Sequence, residues 1–335
     1  MALHPVPLHE KLFKELTPAM RIKPGEDFAA WQKAAREKLA AMVGWPLLTA
    51  EPNFRIEWEK PYDDNSTEIR FLFQSEPETD VLCHLIVPNG QKKVPLILCL
   101  QGHSTGMHIS LGRPKFEGDE ASINGGDRDF ARQIAARGQA ALVIEQRCFG
   151  ERGGKPGPDC YQPSMQAILL GRTMIGERCW DVSRAIDAVL AHFDRIDPDR
   201  IAIMGNSGGG TTSIYAAALD ERIAACMPSC AFCGYWASIG AQYHCSCNYI
   251  PGIAQQFDMG DLGGLIAPRP LVVVNGQEDS IFPIDSAKEQ FEITRGLYAS
   301  AGAEEKLRHV VGPEGHRFYA AIGWKAFDEL TGWRK

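Results

Sequence analysis

The chain has 335 residues, of which 44% are hydrophobic and 23% charged, and its formal net charge at pH 7 is −7. This composition is typical of a globular, enzyme-sized protein and excludes a disordered or fibrous chain. Lysine and arginine are scattered rather than clustered, which argues against nucleic-acid binding, and no apolar run is long enough to span a bilayer.

The N-terminal stretch MALHPVPLHEKLFKELTP lacks the apolar core of a signal peptide, which favours a cytoplasmic location. Residues 1–50 are predicted to form a helical extension, because apolar residues recur at helical spacing. They form one stripe, made of Phe28, Trp31, Ala35, Leu39 and Met42. We expect this stripe to clasp the main body of the protein, predicted to be one domain over residues 51–335.

Three strand-like segments follow, rich in β-branched and aromatic residues and separated by turn-forming residues. They are FRIEW (54–58), TEIRFLF (67–73) and VLCHLIV (81–87). Their short connections predict antiparallel pairing.

From Val94 onward, apolar strand-like segments alternate with helical ones. Strands are predicted over 94–100, 140–145, 200–205, 222–227, 270–276 and 306–312, and helices over 127–138, 174–193 and 316–332. This alternation predicts an α/β fold with a mostly parallel sheet and helices on both faces. The stretch 228–264 is longer than a simple crossover and predicts an insertion that serves as a lid or pocket wall.

The segment GNSGG (205–209) matches G-x-S-x-G and lies directly between an apolar strand and a helix-like run. That setting is typical of the nucleophile elbow of α/β hydrolases, in which glycines let strand and helix approach while the serine hydroxyl of Ser207 points outward. The alternative is an ordinary phosphate-binding or structural glycine-rich turn.

A serine hydroxyl needs a base, and the base needs an orienting acid. The expected chain order is serine, acid, histidine. Asp279 follows the strand LVVVNG and His316 follows the last strand, so both are predicted at the carboxyl edge of the sheet. Glu278 and, less strongly, Glu314 are alternative acids. His309 lies within the last strand and is expected to be structural.

An acyl-transfer site also needs N–H donors for the developing oxyanion. We predict the backbone N–H of Gly208, directly after the serine, and that of His103 in the loop QGHSTGMH. In that loop Gln101 takes the place where such sequences usually carry histidine.

Several further side chains are expected near the substrate, although packing alone could explain each of them. They are His108, Arg147, Trp180, Tyr235, Trp236 and Phe282. For Arg147, an ion pair that fixes its loop is the alternative.

Five of the ten cysteines lie close together in the sequence, with His244 among them. They are Cys226, Cys230, Cys233, Cys245 and Cys247. A zinc site is one interpretation, but the spacing is not a standard ligand pattern, so buried thiols and no metal are expected.

Taken together, five stretches resemble bacterial α/β hydrolases of the dienelactone hydrolase and acetyl xylan esterase-like group. They are LILCLQGHSTG, FARQIAARGQAALVIEQRCFGERG, WDVSRAIDAVLAHFDRIDPDRIAIMGNSGGG, LIAPRPLVVVNGQEDSIFPI and PEGHRF, within roughly residues 80–335. The resemblance implies a serine carboxylesterase without a cofactor. Two departures stand out: dienelactone hydrolases use a cysteine nucleophile, and the related glucuronoyl esterases carry arginine where this chain has Gly208.

The sequence therefore predicts hydrolysis of a small carboxylic ester, acetyl or sugar esters among them, through an acyl-enzyme on Ser207. The expected partner is a small-molecule ester, not nucleic acid or a membrane, and a homo-oligomeric state is left open. Alternatives are a lactonase, thioesterase or peptidase on the same fold, an inactive binding module, or a zinc-dependent hydrolase.

Overall fold

The computed structural model describes residues 3–90 and 93–334. Its strands are β1 (Arg55–Asp63), β2 (Ser66–Glu76), β3 (Thr79–Pro88), β4 (Val94–Leu100), β5 (Ala140–Ile144), β6 (Ile196–Asn206), β7 (Ala225–Ser229), β8 (Leu271–Gly276) and β9 (Leu307–Gly312). Its helices are α1 (Val6–Glu15), α2 (Phe28–Val43), α3 (Asp119–Gly125), α4 (Phe130–Ala135), α5 (Tyr161–Leu169), α6 (Met174–His192), α7 (Gly208–Leu219), α8 (Ile253–Gln256), α9 (Met259–Ile266), α10 (Ile284–Ser300) and α11 (Ala320–Thr331).

Within the described residues the strands form one nine-stranded sheet in the order β1-β2-β3-β5-β4-β6-β7-β8-β9. The first three strands pair antiparallel, as predicted, and β3 also runs antiparallel to β5. From β5 through β4 to β9 every neighbouring pair is parallel. The predicted α/β class with a mostly parallel sheet is confirmed, and the carboxyl ends of β4, β6, β7, β8 and β9 share one edge.

The central strands are buried on both faces, and β4 shows how its sequence achieves this. Leu96, Leu98 and Leu100 point to the apolar core shared with α2, α6, α7 and α9, whereas Ile97 and Cys99 point to the core shared with α4 and α11. A strand buried on both faces must be apolar throughout, which is why VPLILCL carries no polar side chain.

The N-terminal extension packs on the first of these cores through α2. Trp31, Ala35 and Leu39 of the predicted stripe are buried, while Phe28 and Met42 pack against the core partly exposed. Helix α1, in contrast, buries none of its side chains.

The helix predicted over 127–138 is shorter, because α4 begins only at Phe130 and a separate helix, α3, precedes it. Helix α3 ends at Gly125 with Gly126 as its cap, and Asp127 has a positive φ of 50°. This left-handed residue interrupts the helix that the apolar pattern suggested.

The stretch predicted as an insertion lies between β7 and β8. Because β7 extends to Ser229 and α9 begins at Met259, residues 230–258 form its irregular part, with short helical turns and α8. None of the helices in the described ranges combines the length and apolarity that crossing a membrane requires.

Candidate active site

Ser207 lies at the junction of β6 and α7 with φ 56° and ψ −125°, a backbone conformation that residues other than glycine rarely adopt. The turn is tight because the neighbouring chains touch. A Cβ on Gly209 would lie 2.1 Å from the Leu100 carbonyl oxygen, and one on Gly205 would lie 2.4 Å from the Gly209 carbonyl carbon. Only glycine fits at these two positions, so the G-x-S-x-G spacing follows from the contacts of the turn.

His316 and Asp279 meet at the same edge of the sheet. His316 Nδ1 lies 2.8 Å from Asp279 Oδ2, and Asp279 Oδ1 accepts the backbone N–H groups of Ile281 and Phe282 at 2.9 and 3.1 Å. Burial alone would raise the pKa of Asp279, but these hydrogen bonds, led by the one to His316, bring the pKa below its usual value. An ionised carboxylate thus orients the imidazole and leaves Nε2 as the nitrogen available for proton transfer.

The elbow and the acid–histidine pair are joined through the end of β7. The backbone N–H of Ser207 donates to the Ser229 carbonyl at 2.8 Å, and the Ser229 hydroxyl donates to the Arg317 carbonyl at 3.3 Å. Among the described residues no hydrogen bond joins Ser207 Oγ to His316. Such bonds are often long without substrate, so the serine–histidine contact stays a prediction.

The alternative acids lie outside this arrangement. Glu278 and Glu314 are exposed, and Glu314 pairs with Arg317 at 3.0 Å. His309 lies 3.1 Å from Asn275 Oδ1 and stacks on Phe291, which are the contacts of a structural histidine. Of the three acids considered, only Asp279 is hydrogen-bonded to His316.

The two predicted N–H donors flank Ser207. Gly208 is the first residue of α7, and the His103 imidazole lies against it, since a Cβ on Gly208 would come within 2.7 Å of His103 Nδ1. On the other side, a Cβ on Gly102 would lie 3.0 Å from Ser207 Cβ. The loop after β4 therefore passes directly over the elbow.

Gln101, at the start of this loop, is held by hydrogen bonds to two residues that follow β5. Its side-chain amide donates to Glu145 Oε1 at 2.7 Å, and its carbonyl accepts from the Gln146 amide at 2.6 Å. Burial raises the pKa of Glu145 to about 8. A buried polar network thus takes the place of the usual histidine beneath the loop.

The predicted pocket residues fall into separate regions. Phe282 stacks on the His316 ring with a centroid distance of 5.7 Å, so it forms a wall of the site. Tyr235 and Trp236 instead line a cavity of about 600 Å³ between the insertion and α1, where Trp236 packs on Phe13. The residues lining that cavity include none of the predicted triad.

For Arg147 the structure shows the ion pair that the sequence analysis gave as the alternative to a substrate contact. Its side chain is only 11% exposed and is bound by carboxylates of Glu76, Glu177 and Asp181 at 2.8–2.9 Å. Three carboxylates already satisfy the guanidinium, so the alternative of a fixed ion pair describes it better.

For two further residues predicted to line the pocket, Trp180 and His108, the structure shows contacts away from the triad. The indole of Trp180 donates to the Ser75 carbonyl at 3.0 Å and packs edge-on against Trp45, which places it beneath the N-terminal extension. His108 is buried and lies 2.8 Å from Asp119 Oδ2. Neither side chain contacts a predicted triad residue through these groups.

Two residues near the site were not assigned to it from the sequence. Cys230 brings its thiol within 4.8 Å of the ligand atoms of Asp279 and His316. His244 packs edge-on against Phe282, and burial, followed by the charges of His103 and His316, lowers its pKa. Both belong to the irregular connection after β7, whose path no periodicity in the sequence predicts.

The order of the sheet and the serine at the strand–helix junction resemble those of α/β hydrolases. A family described as "Glucuronyl esterase, fungi" matches residues 172–237, which include the elbow. The "Putative hydrolase YtaP" of Bacillus subtilis is 28% identical over 294 residues, covering 84% of this chain and 97% of that protein.

Two solved structures that the chain resembles are esterases by name. One described as a "putative acetyl xylan esterase" from Bacteroides fragilis has a TM-score of 0.77 at 16% identity, covering 98% of this chain and 89% of the other. A glucuronoyl esterase from Solibacter usitatus has a TM-score of 0.69 at 16% identity, covering 95% and 97%. The esterase-like group of α/β hydrolases predicted from the sequence is thus the group the chain resembles.

Proposed function

We propose that the chain is a serine carboxylesterase that hydrolyses small carboxylic esters through an acyl-enzyme. The observation that carries the proposal is the 2.8 Å contact between His316 Nδ1 and Asp279 Oδ2 at the sheet edge where the elbow presents Ser207. An imidazole oriented by a carboxylate beside a strained serine is the arrangement that activates a hydroxyl nucleophile.

In the proposed mechanism, Ser207 Oγ attacks the ester carbonyl while His316 Nε2 takes its proton. Asp279 stabilises the imidazolium, and the backbone N–H groups of Gly208 and His103 donate to the tetrahedral oxyanion. His316 then protonates the departing alkoxide. Water attacks the acyl-enzyme by the reverse route and releases the carboxylic acid.

The proposed substrate is a simple or sugar-borne ester with a small acyl group, in keeping with the acetyl xylan esterase among the similar structures. The position after the nucleophile argues against a uronate ester. The imidazole of His103 lies so close to Gly208 that a Cβ there would meet it at 2.7 Å, which leaves no room for the arginine of glucuronoyl esterases.

We further propose that the enzyme works in the cytoplasm on a small-molecule partner, without nucleic acid or a membrane. None of the ten cysteines, all within the described residues, forms a disulfide, as expected in a reducing compartment. The net charge of −7 disfavours binding to nucleic-acid phosphates.

The test is fluorophosphonate labelling combined with hydrolysis of p-nitrophenyl acetate. The wild-type protein should be labelled on Ser207, and Ser207→Ala should lose labelling and lower kcat by about 10⁴- to 10⁶-fold. The control is Ser280→Ala, since Ser280 is an exposed serine beside Asp279 and should stay active and labelled. Undiminished hydrolysis by Ser207→Ala would refute the proposal.

A substrate panel then separates the alternatives on the same fold. Acetyl, butyryl and uronate methyl esters, lactones, thioesters and aminoacyl substrates are compared by kcat/KM. The proposal predicts that the acetyl ester leads; a lactone, thioester or aminoacyl substrate that exceeds every ester would reassign the activity.

A further inference from the structure

Four soft metal ligands converge beside the elbow, and we call them the thiol cluster: His103, Cys160, Cys245 and Cys247. One ligand atom from each lies within 4.8 Å of the other three. They come from three separate segments: the loop after β4, the residue preceding α5, and the insertion. The zinc interpretation from the sequence paired the cysteines of the insertion with His244, whereas the structure pairs two of them with His103 and Cys160.

The spacing within the thiol cluster suits one tetrahedral ion. His103 Nε2 lies 3.0 Å from Cys247 Sγ, and Cys247 Sγ lies 3.3 Å from Cys245 Sγ. Zinc bonds of about 2.3 Å to sulfur and 2.0 Å to nitrogen require ligand–ligand separations of about 3.5–3.8 Å. The ligand atoms of the thiol cluster lie between 3.0 Å and 4.8 Å apart, so small side-chain shifts would bring them to the separations that zinc requires.

A buried cation supplies an independent indication that the cluster carries negative charge. Arg178, only 1% exposed, places Nη1 3.3 Å from Cys247 Sγ and Nη2 3.4 Å from Cys160 Sγ. Its remaining contacts are the Arg147 carbonyl and the ring of Phe149, and in the described part of the chain it forms no salt bridge with a carboxylate. A buried guanidinium needs an anion, and thiolates are the groups within reach.

The charges balance when a divalent ion is added. Three thiolates and a neutral imidazole around a 2+ ion carry a net charge of −1, which Arg178 neutralises. Three uncharged thiols would leave the guanidinium without a counter-charge. We propose that the thiol cluster is a Cys₃His site that binds Zn²⁺.

Four protein ligands leave no open position, so the ion is structural and does not activate water. Its effect on turnover passes through His103, whose other ring nitrogen faces Gly208. Zinc would lock the imidazole and with it the loop after β4. This last consequence rests on the proposed function, because it assumes that the His103 backbone N–H serves the oxyanion; zinc binding itself does not.

The first experiment measures metal content of the full chain purified under reducing conditions. About one zinc per chain is expected in the wild-type protein, and Cys160→Ser and Cys245→Ser should each lose it. The matched control is Cys233→Ser, since Cys233 is a buried free thiol of the same insertion outside the thiol cluster. It should retain zinc.

The second experiment needs no variant and so does not depend on how a variant folds. Metal-free, reduced wild-type protein is titrated with Co²⁺, and saturation near one equivalent with thiolate-to-cobalt charge-transfer bands is expected. Absence of those bands, zinc retained by both ligand variants, or a disulfide within the cluster in the reduced protein would overturn the proposal.

Fluorophosphonate labelling of Ser207 is followed in parallel. Zinc bound without labelling would refute the esterase and leave the metal site intact. Labelling and hydrolysis without metal binding would refute the metal site and leave the esterase proposal intact. If both proposals hold, removing zinc should lower kcat by about tenfold, less than the 10²- to 10³-fold cost of removing an oxyanion donor, because the donor is loosened and not lost.

Discussion

Two groups of chemically active side chains meet at the elbow, and they differ in access to solvent. The His316 side chain is 20% exposed and Ser207 is partly exposed, so a substrate can reach both. In the thiol cluster, Cys160 and Cys247 are buried against Arg178, and only Cys245 and His103 are partly exposed. A group that turns over substrate must be reachable, whereas one that holds a loop in place is better closed. His103 belongs to both groups.

After the loss of Ser207 itself, the largest expected effect comes from Asp279, the buried acid hydrogen-bonded to His316. Asp279→Asn should lower kcat by about 10³- to 10⁴-fold, because the amide no longer stabilises the imidazolium or fixes its tautomer. Glu278→Gln is the matched control and should stay within about twofold, since its carboxylate is exposed and, among the described residues, forms no hydrogen bond or ion pair with His316. Equal losses in the two variants on p-nitrophenyl acetate would show that the acid is misassigned.

The next largest effect is expected at Gly208, which lies between Ser207 and the His103 imidazole. Gly208→Ala places a Cβ 2.7 Å from His103 Nδ1, which displaces the imidazole and misaligns both N–H donors. We expect kcat/KM to fall by about 10²-fold, the cost of one impaired oxyanion donor.

Gly296→Ala is the control for this substitution, because its new Cβ on α10 meets nothing within 4 Å. It should keep full activity and gain up to about 1 kcal/mol in helix stability. Full activity in Gly208→Ala would show that the position of the His103 loop does not affect catalysis.

The buried charges around Arg147 form a third region that should affect stability and not turnover. Asp181 binds both Arg147 and Arg152, at 2.8 and 2.7 Å. Asp181→Asn should lower the free energy of unfolding by about 3 kcal/mol at pH 7, because it leaves buried guanidinium groups short of a partner. KM for neutral and anionic esters should change in parallel; a selective rise for anionic esters would restore Arg147 to the substrate site.

The same variant predicts a pH dependence. Burial raises the pKa of Asp181, but the positive charges of Arg147 and Arg152 lower it by a larger amount. Its pKa in the folded protein therefore lies below the unfolded value of 3.8. The stabilisation is therefore complete above that value and is lost as the pH falls below it. Urea unfolding should show a constant difference between wild type and Asp181→Asn from pH 7 to about pH 5, shrinking below about pH 4.

The smallest effect is expected at the cavity beneath α1. Trp236→Ala removes a wall of that cavity, whose lining includes none of the triad, so kcat/KM for p-nitrophenyl acetate should stay within about threefold. Phe282→Ala removes the ring stacked on His316 and should cost more. A larger loss at Trp236 would make this cavity part of the ester site.

Most of the sheet and the acid–histidine pair could be predicted because they depend on local pattern. VPLILCL is apolar throughout, and Asp279 and His316 each follow a strand, so parallel pairing brings them to one edge. The role of Ser207 could be predicted from the glycines on either side of it and from its position between a strand and a helix.

The thiol cluster and the positions of Trp180 and Arg147 could not be predicted in the same way. Cys160, Cys245 and His103 are brought together by loops whose paths depend on tertiary packing and carry no periodic signal. Trp180 lies on a buried side of α6 and is covered by Trp45 of the N-terminal extension. Its surroundings therefore depend on where the extension packs, which the sequence of α6 does not indicate.

The most direct test of the central claim is a crystal structure of the full chain after reaction with a p-nitrophenyl phosphonate. We expect phosphorus bonded to Ser207 Oγ and the phosphoryl oxygen within hydrogen-bond distance of the Gly208 and His103 backbone N–H groups. We also expect His316 Nε2 to face the adduct. Phosphorus bonded to any other residue, or a phosphoryl oxygen directed away from Gly208, would contradict it.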